Sequence, residues 1–175
     1  MKKNIIVVIT MLAVSLFASA CSTKQTLKPP DLTQLMEVKN ISKINVYGPV
    51  DKGIISDLNK YLKAKLIIAG YTLNQNSEGL AVDVNIATFS PGNQAVRFII
   101  GFGAGRGSLI YRAKYLNPKG MVLAEMTGQE RFTGQEAFTF NSQYGNFANM
   151  GGDEIVRGVL VQEAAKHIVE LIVDP

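Results

Sequence analysis

Between Leu80 and Phe132, apolar side chains recur at every second position in three successive runs, and this period limits the folds open to the chain. In the first run Val82, Val84 and Ile86 face one way, while Asp83 and Asn85 face the other. In the second, Leu109, Tyr111, Ala113 and Tyr115 alternate with Ile110, Arg112 and Lys114. In the third, Val122, Ala124 and Met126 alternate with Glu125 and Thr127, and the run continues toward Phe132. A period of two marks strands with one buried face. Pro91-Gly92-Asn93 is a turn signal, and Asn117-Pro118-Lys119-Gly120 joins the second and third runs as a hairpin. An earlier strand, with Ile44 and Val46 apolar, stops at Gly48-Pro49.

Two segments switch to the helical period. From Gly53 to Ala69 the apolar residues Ile54, Ile55, Leu58, Tyr61, Leu62, Leu66 and Ala69 have helical spacing with one apolar face, and Gly70 sits where a helix C-cap belongs. A short strand over Tyr71 to Leu73 follows. From Asp153 to about Val173, residues Val156, Val159, Leu160, Ala164, Ile168 and Leu171 share a side, with Asp153 and Glu154 suited to the dipole at the start. Two such helices cover only one side of a sheet. The expected fold is α/β (α+β): a two-layer sandwich with a mostly antiparallel sheet of about five strands and two helices on one face. The polar face of that sheet is left to water or to a partner.

The N-terminus has a different composition. Lys2 and Lys3 precede an apolar run from Ile5 to Phe17, and Ala18-Ser19-Ala20 is a small-residue exit before Cys21, the only cysteine. This is an export signal too short to span a bilayer comfortably. Cys21 has no disulfide partner, and small residues before a cysteine match a lipobox, whose thiol is acylated before cleavage. Stable anchoring takes two or more acyl chains, as on a bacterial lipoprotein cysteine. Ser22 stands where Asp usually retains a lipoprotein in the inner membrane, so the expected address is the outer membrane, facing the periplasm. The expected division is a signal over 1–20, a flexible tether over 21–38 rich in proline at Pro29-Pro30, and one domain over 39–175. About 15 tether residues would reach roughly 45 Å.

Charge excludes one class of partner. Removing the 20-residue signal from 175 residues leaves 155, and with Lys2 and Lys3 gone there are 16 basic against 14 acidic residues, a net of +2. Nucleic-acid binding needs a clustered basic face, so none is expected. No cofactor is expected beyond covalent lipid on Cys21.

Candidate chemistry is sparse. The run Gly101, Phe102, Gly103, Ala104, Gly105, Arg106, Gly107 lacks GxGxxG spacing and is followed by no Gly-Lys-Ser/Thr, so it fits neither a dinucleotide nor a phosphate loop. Its alternate glycines fit a bulged strand, a close-packing site for a partner or another copy, or a membrane-inserting arm, although Arg97 and Arg106 oppose burial in hydrocarbon. His167, the only histidine, reads as a boundary residue of the last helix and cannot build a typical zinc site alone. Ser56, Ser108 and Ser142 lack GxSxG context. Asp83, Glu125 and Glu130 are expected on the polar sheet face, paired with Arg112, Lys114 or Arg131. A loop over Thr133–Gly152 carries Phe138, Phe140, Tyr144 and Phe147, which serve either an interface or closure of one end of the core.

The run from Leu80 to Gly107 resembles a family of bacterial envelope lipoproteins carrying a domain of unknown function, the DUF 4410 type. The residues that carry the resemblance are Asp83-Val84, Phe89-Ser90-Pro91-Gly92-Asn93, Arg97 and the glycine run to Gly107; Asn117-Pro118-Lys119-Gly120 looks like a later turn where an acidic residue is more usual. The resemblance implies an envelope lipoprotein and supplies no catalytic residues. The expected role is therefore non-enzymatic: binding of a protein partner or self-association through the open sheet face, the glycine-rich strand and the aromatic loop. The alternatives are a carrier of a small apolar ligand or a carboxylate-dependent hydrolase.

Overall fold

The three alternating runs form the centre of one six-stranded sheet. The computed structural model describes residues 23–31, 33, 35, 38–75, 78–96, 105–132 and 152–173. Its elements are β1 (Thr23–Lys28), β2 (Asn40–Tyr47), α1 (Lys52–Ile68), β3 (Thr72–Leu73), β4 (Leu80–Ser90), β5 (Gly107–Leu116), β6 (Val122–Phe132) and α2 (Asp153–Val173). The strand order is β1-β6-β5-β4-β2-β3. β4, β5 and β6 make antiparallel pairs, with Val84 opposite Ala113 and Ala113 opposite Met126. The hairpin turn is closed by Asn117, whose amide donates to the Met121 carbonyl at 2.9 Å and whose Oδ1 accepts from the Lys119 and Met121 amides.

The sheet is mostly antiparallel, as expected, but it has six strands rather than about five and is mixed, with two of its five strand pairs parallel. β2 runs parallel to both β3 and β4. The cause is α1: its 17 residues carry the chain back along the sheet, so the strands either side of it point the same way. Asp51 caps α1 by accepting the Gly53 amide at 2.7 Å, and Gly70, at φ 85°, closes its far end, as the sequence predicts.

A second correction concerns the tether. Residues 23–28 are not a free linker but an edge strand, zipped antiparallel to β6 with Thr23 opposite Gln129. Beyond it the Asp31 amide donates to the Leu123 carbonyl at 3.0 Å, and Leu35 is fully buried. The open edge of β6 supplies the donors and acceptors that β1 needs. All six β1 residues are exposed, so the ladder and not a buried face holds the strand.

Both long helices lie on one face, as expected. Leu58, Leu62 and Leu66 of α1, with Val156, Leu160, Ala164 and Ile168 of α2, close over Val82, Val84, Ile86, Leu109, Ala113 and Met126. Burying each such leucine contributes about 1.5–3 kcal/mol. The Asp57–Arg157 ion pair at 2.9 Å ties α1 to α2. No helix among the described residues is long and apolar enough to cross a membrane.

Three connections, β2–α1, β4–β5 and β6–α2, meet at one end of the sheet. Gly107 faces Phe132 and Ser108 faces Ser90, so β4 and β6 end where β5 begins. Thr23, opposite Gln129, starts β1 at the same end. Gln94 to Val96 are helical there, with the Val96 amide donating to Asn93 Oδ1.

Candidate functional site

Alternation along β6 puts Glu125, Thr127, Gln129 and Arg131 on the open face and Ala124, Met126, Gly128, Glu130 and Phe132 against the helices. On the open face Glu125 accepts from Arg112 Nε at 2.6 Å and pairs with Lys114 Nζ at 3.4 Å, the cross-strand pairing expected from the sequence. The Arg112 and Lys114 charges hold the Glu125 carboxyl below its ordinary range. Asp83 lies in register between Asn45 and Lys114. The result is a row of alternating charge across β4, β5 and β6.

Glu130 sits on the other side, which corrects the expectation that it shares the polar face. It is 2% exposed, deep between the sheet and α2. Its Oε1 accepts the Tyr111 hydroxyl at 2.8 Å and lies 2.8 Å from His167 Nδ1. A buried carboxyl is costly unless hydrogen-bonded, and these partners offset that cost. Tyr111 reaches Glu130 because the residue opposite it is Gly128: a Cβ there would come within 2.3 Å of the Tyr111 ring. Burial, followed by the charge of Glu130, pushes the Tyr111 hydroxyl far above its ordinary value. His167 is 7% exposed, a core residue and not a boundary one.

The shared signal for this cluster was parity. Glu130 falls an even number of residues from Ala124 and Met126, and His167 stands beside Ile168 and Ala164 on the apolar stripe of α2. With Nδ1 turned to Glu130, the ring presents Nε2 toward Glu163 Oε2, 4.0 Å away. His167 also lines a cleft of about 530 Å³ between β1 and α2, with Lys24, Pro29, Pro30, Met126 and Leu171. The Lys24–Glu170 pair at 3.1 Å links the two elements there. Among the described residues no group of three or more His, Cys, Asp or Glu is placed to hold a metal ion. Glu125 and Glu130 lie on opposite faces of β6, so they do not converge as an acid pair.

The glycine run is partly placed. Gly105, Arg106 and Gly107 lie at the entry to β5, and a Cβ on Gly107 would come 2.5 Å from Val156 Cγ1, so α2 packs directly on that glycine. Gly101, Phe102 and Gly103, the aromatic residues Phe138, Phe140, Tyr144 and Phe147, and Cys21 lie outside the described residues. A second cleft, of about 340 Å³, opens at the same end between Asp51, Ile54, Phe89, Pro91, Asp153 and Arg157.

Comparison with known proteins finds that the family model described as "Domain of unknown function (DUF4410)" matches residues 25–133. Among solved structures the chain is similar to the PelC dodecamer from Paraburkholderia phytofirmans, at 9% identity and TM-score 0.57, covering 89% of this chain and 100% of that one. A variant PelC dodecamer from the same organism gives 10% identity and TM-score 0.51, covering 87% and 98%. A minor lipoprotein from Acinetobacter baumannii gives 17% identity and TM-score 0.41, covering 75% and 90%. No curated protein matches the chain. At these identities the PelC likeness is one of fold.

Proposed function

The chain belongs to the family of the domain of unknown function DUF4410, and from that premise we propose that it is a lipid-anchored envelope protein that acts by binding, not catalysis, and assembles with copies of itself. Cys21 carries the lipid. The Ser22 that follows it favours the outer membrane, with the domain facing the periplasm.

The observation that carries this reading is the sheet face opposite the helices. Lys43, Asn45, Asp83, Arg112, Lys114 and Glu125 spread over it in register, and nothing among the described residues covers it. Strands about 4.8 Å apart present such side chains as a flat polar array, which suits contact with another protein better than enclosure of a substrate. PelC, whose fold this chain shares, is a dodecamer; carried over to this chain, that supports a multi-copy assembly. The test is the mass of the mature chain by light scattering. A discrete multiple of the monomer is the expected result, dispersed by reversing the charges of Arg112 and Lys114. A monomer at every concentration up to the solubility limit counts against self-assembly.

The cleft between β1 and α2 favours a second reading, a carrier of a small apolar ligand. Its volume is within the range of small-molecule sites, and its lining mixes prolines, Met126 and Leu171 with one oriented imidazole. Organic extraction of protein purified from envelopes tests it: a stoichiometric ligand supports a carrier, and an empty extract opposes it.

A further inference from the structure

The register of β1 determines how close a lipid on Cys21 stands to the folded domain. Thr23 pairs with Gln129, three residues from the end of β6 at Phe132. Cys21 is two residues before Thr23, and two residues of extended chain span about 7 Å at most. The anchor is therefore held beside one end of the sheet, and the stand-off of roughly 45 Å open to a free tether is lost once β1 is zipped onto β6.

That end differs from the other in what leaves it. The β4–β5 connection departs after Val96 and returns at Gly105, and the β6–α2 connection departs after Phe132 and returns at Gly152. The opposite end of the β5–β6 hairpin is the polar turn Asn117-Pro118-Lys119-Gly120. Two arginines stand at the anchored end: Arg106 immediately before β5, and Arg131, exposed on the open face next to the last residue of β6. Guanidinium groups match phosphate oxygens geometrically and sit at the headgroup level, and these two stand on the sheet side of that end, with Asp51, Asp153 and Glu154 on its helix side.

The geometry points to a membrane-contact surface at this end of the sheet, around Ser90, Arg106, Ser108 and Arg131, with the lipid bilayer as its occupant. This rests on acylation of Cys21. The strand works as a short clamp: it holds the domain end-on to the bilayer, with the hairpin turn at Lys119 pointing away and the open sheet face standing roughly along the membrane normal. A periplasmic partner then meets that face from the side.

Acylation blocks the only native thiol, so one engineered cysteine takes a unique label. Arg131→Cys and Lys119→Cys, each in the lipidated full-length product, are labelled with an environment-sensitive fluorophore. They are reconstituted into vesicles of phosphatidylethanolamine and phosphatidylglycerol containing lipids brominated near the headgroup. Ser108→Cys, opposite Arg131 in register, gives an independent reading at the same end should Arg131→Cys fold poorly. Flotation is read first and quenching second. The expected result is co-flotation with quenching severalfold stronger at residues 131 and 108 than at 119. A chain that does not float overturns the anchor and this surface together. A chain that floats with equal quenching at both ends, or stronger quenching at 119, overturns the membrane contact alone and leaves that end to a protein partner.

Discussion

Replacing Tyr111 with Phe deletes one hydroxyl and leaves the ring on Gly128. The Glu130 carboxyl then loses its 2.8 Å hydroxyl donor and keeps its other contacts, His167 Nδ1 among them. A hydrogen bond to a charged group contributes about 1.5–3 kcal/mol, and a buried acceptor deprived of its donor retains its desolvation cost. Glu130 is 2% exposed, so solvent cannot replace the hydroxyl without opening the α2–β6 packing. The expected loss is therefore about 2 kcal/mol, a fall in Tm of roughly 4–8 °C for a chain of this size. Urea unfolding of the mature, unlipidated chain measures it. Glu130→Gln on both backgrounds completes a double-mutant cycle, with an expected coupling of about 1–2 kcal/mol between the two positions. A Tyr111→Phe variant within about 0.5 kcal/mol of the parent, with no coupling, would refute the view that this cluster is a satisfied, stabilising part of the core.

Three further outcomes follow from the same geometry. Burial pushes the Tyr111 and Tyr115 hydroxyls well above 10.0, with Glu130's charge adding to the effect at Tyr111. Both stay protonated in the fold while the unfolded chain ionises, so stability holds below pH 10 and falls above it by about 1.4 kcal/mol per pH unit for each ring. Tyr111→Phe should lower that slope by one ring's share, about 1.4 kcal/mol per pH unit, in urea titrations at pH 10 to 11.5. Gly107→Val drives a side chain into Val156 and should cost about 1–3 kcal/mol by thermal melting, whereas an unchanged Tm would mean that α2 does not rest on β5 there. Arg112→Ala should raise the Glu125 titration in NMR yet change stability at neutral pH by only about 0.5 kcal/mol, because the pair is exposed. Since the Glu125 carboxyl is held low, the stability it adds is present above the ordinary carboxylate range and fades as pH falls through it.

The parts of the fold with a one-sided apolar pattern were readable from sequence. Val82, Val84 and Ile86, Leu109 to Tyr115, and the stripe from Val156 to Leu171 all occupy the faces that their period assigns. β1 was not readable, because Thr23-Lys24-Gln25-Thr26-Leu27-Lys28 buries no face; its place comes from backbone pairing with β6, which leaves no trace in side-chain pattern. The parallel β2–β4 pair was hidden for a related reason, since alternation reports which face is buried and not which way a neighbour runs. Glu130 departs from the polar face because strand parity, not charge, decides which way its side chain points, and the Tyr111–Glu130–His167 contact joins residues up to 56 positions apart, beyond any local signal.

Native mass spectrometry of the protein extracted from envelopes addresses the central claim in one spectrum. Each chain should begin at Cys21 and carry the mass of its acyl groups, and the complex should contain a fixed number of such chains. A single polypeptide with an unmodified thiol would contradict both the anchor and the assembly.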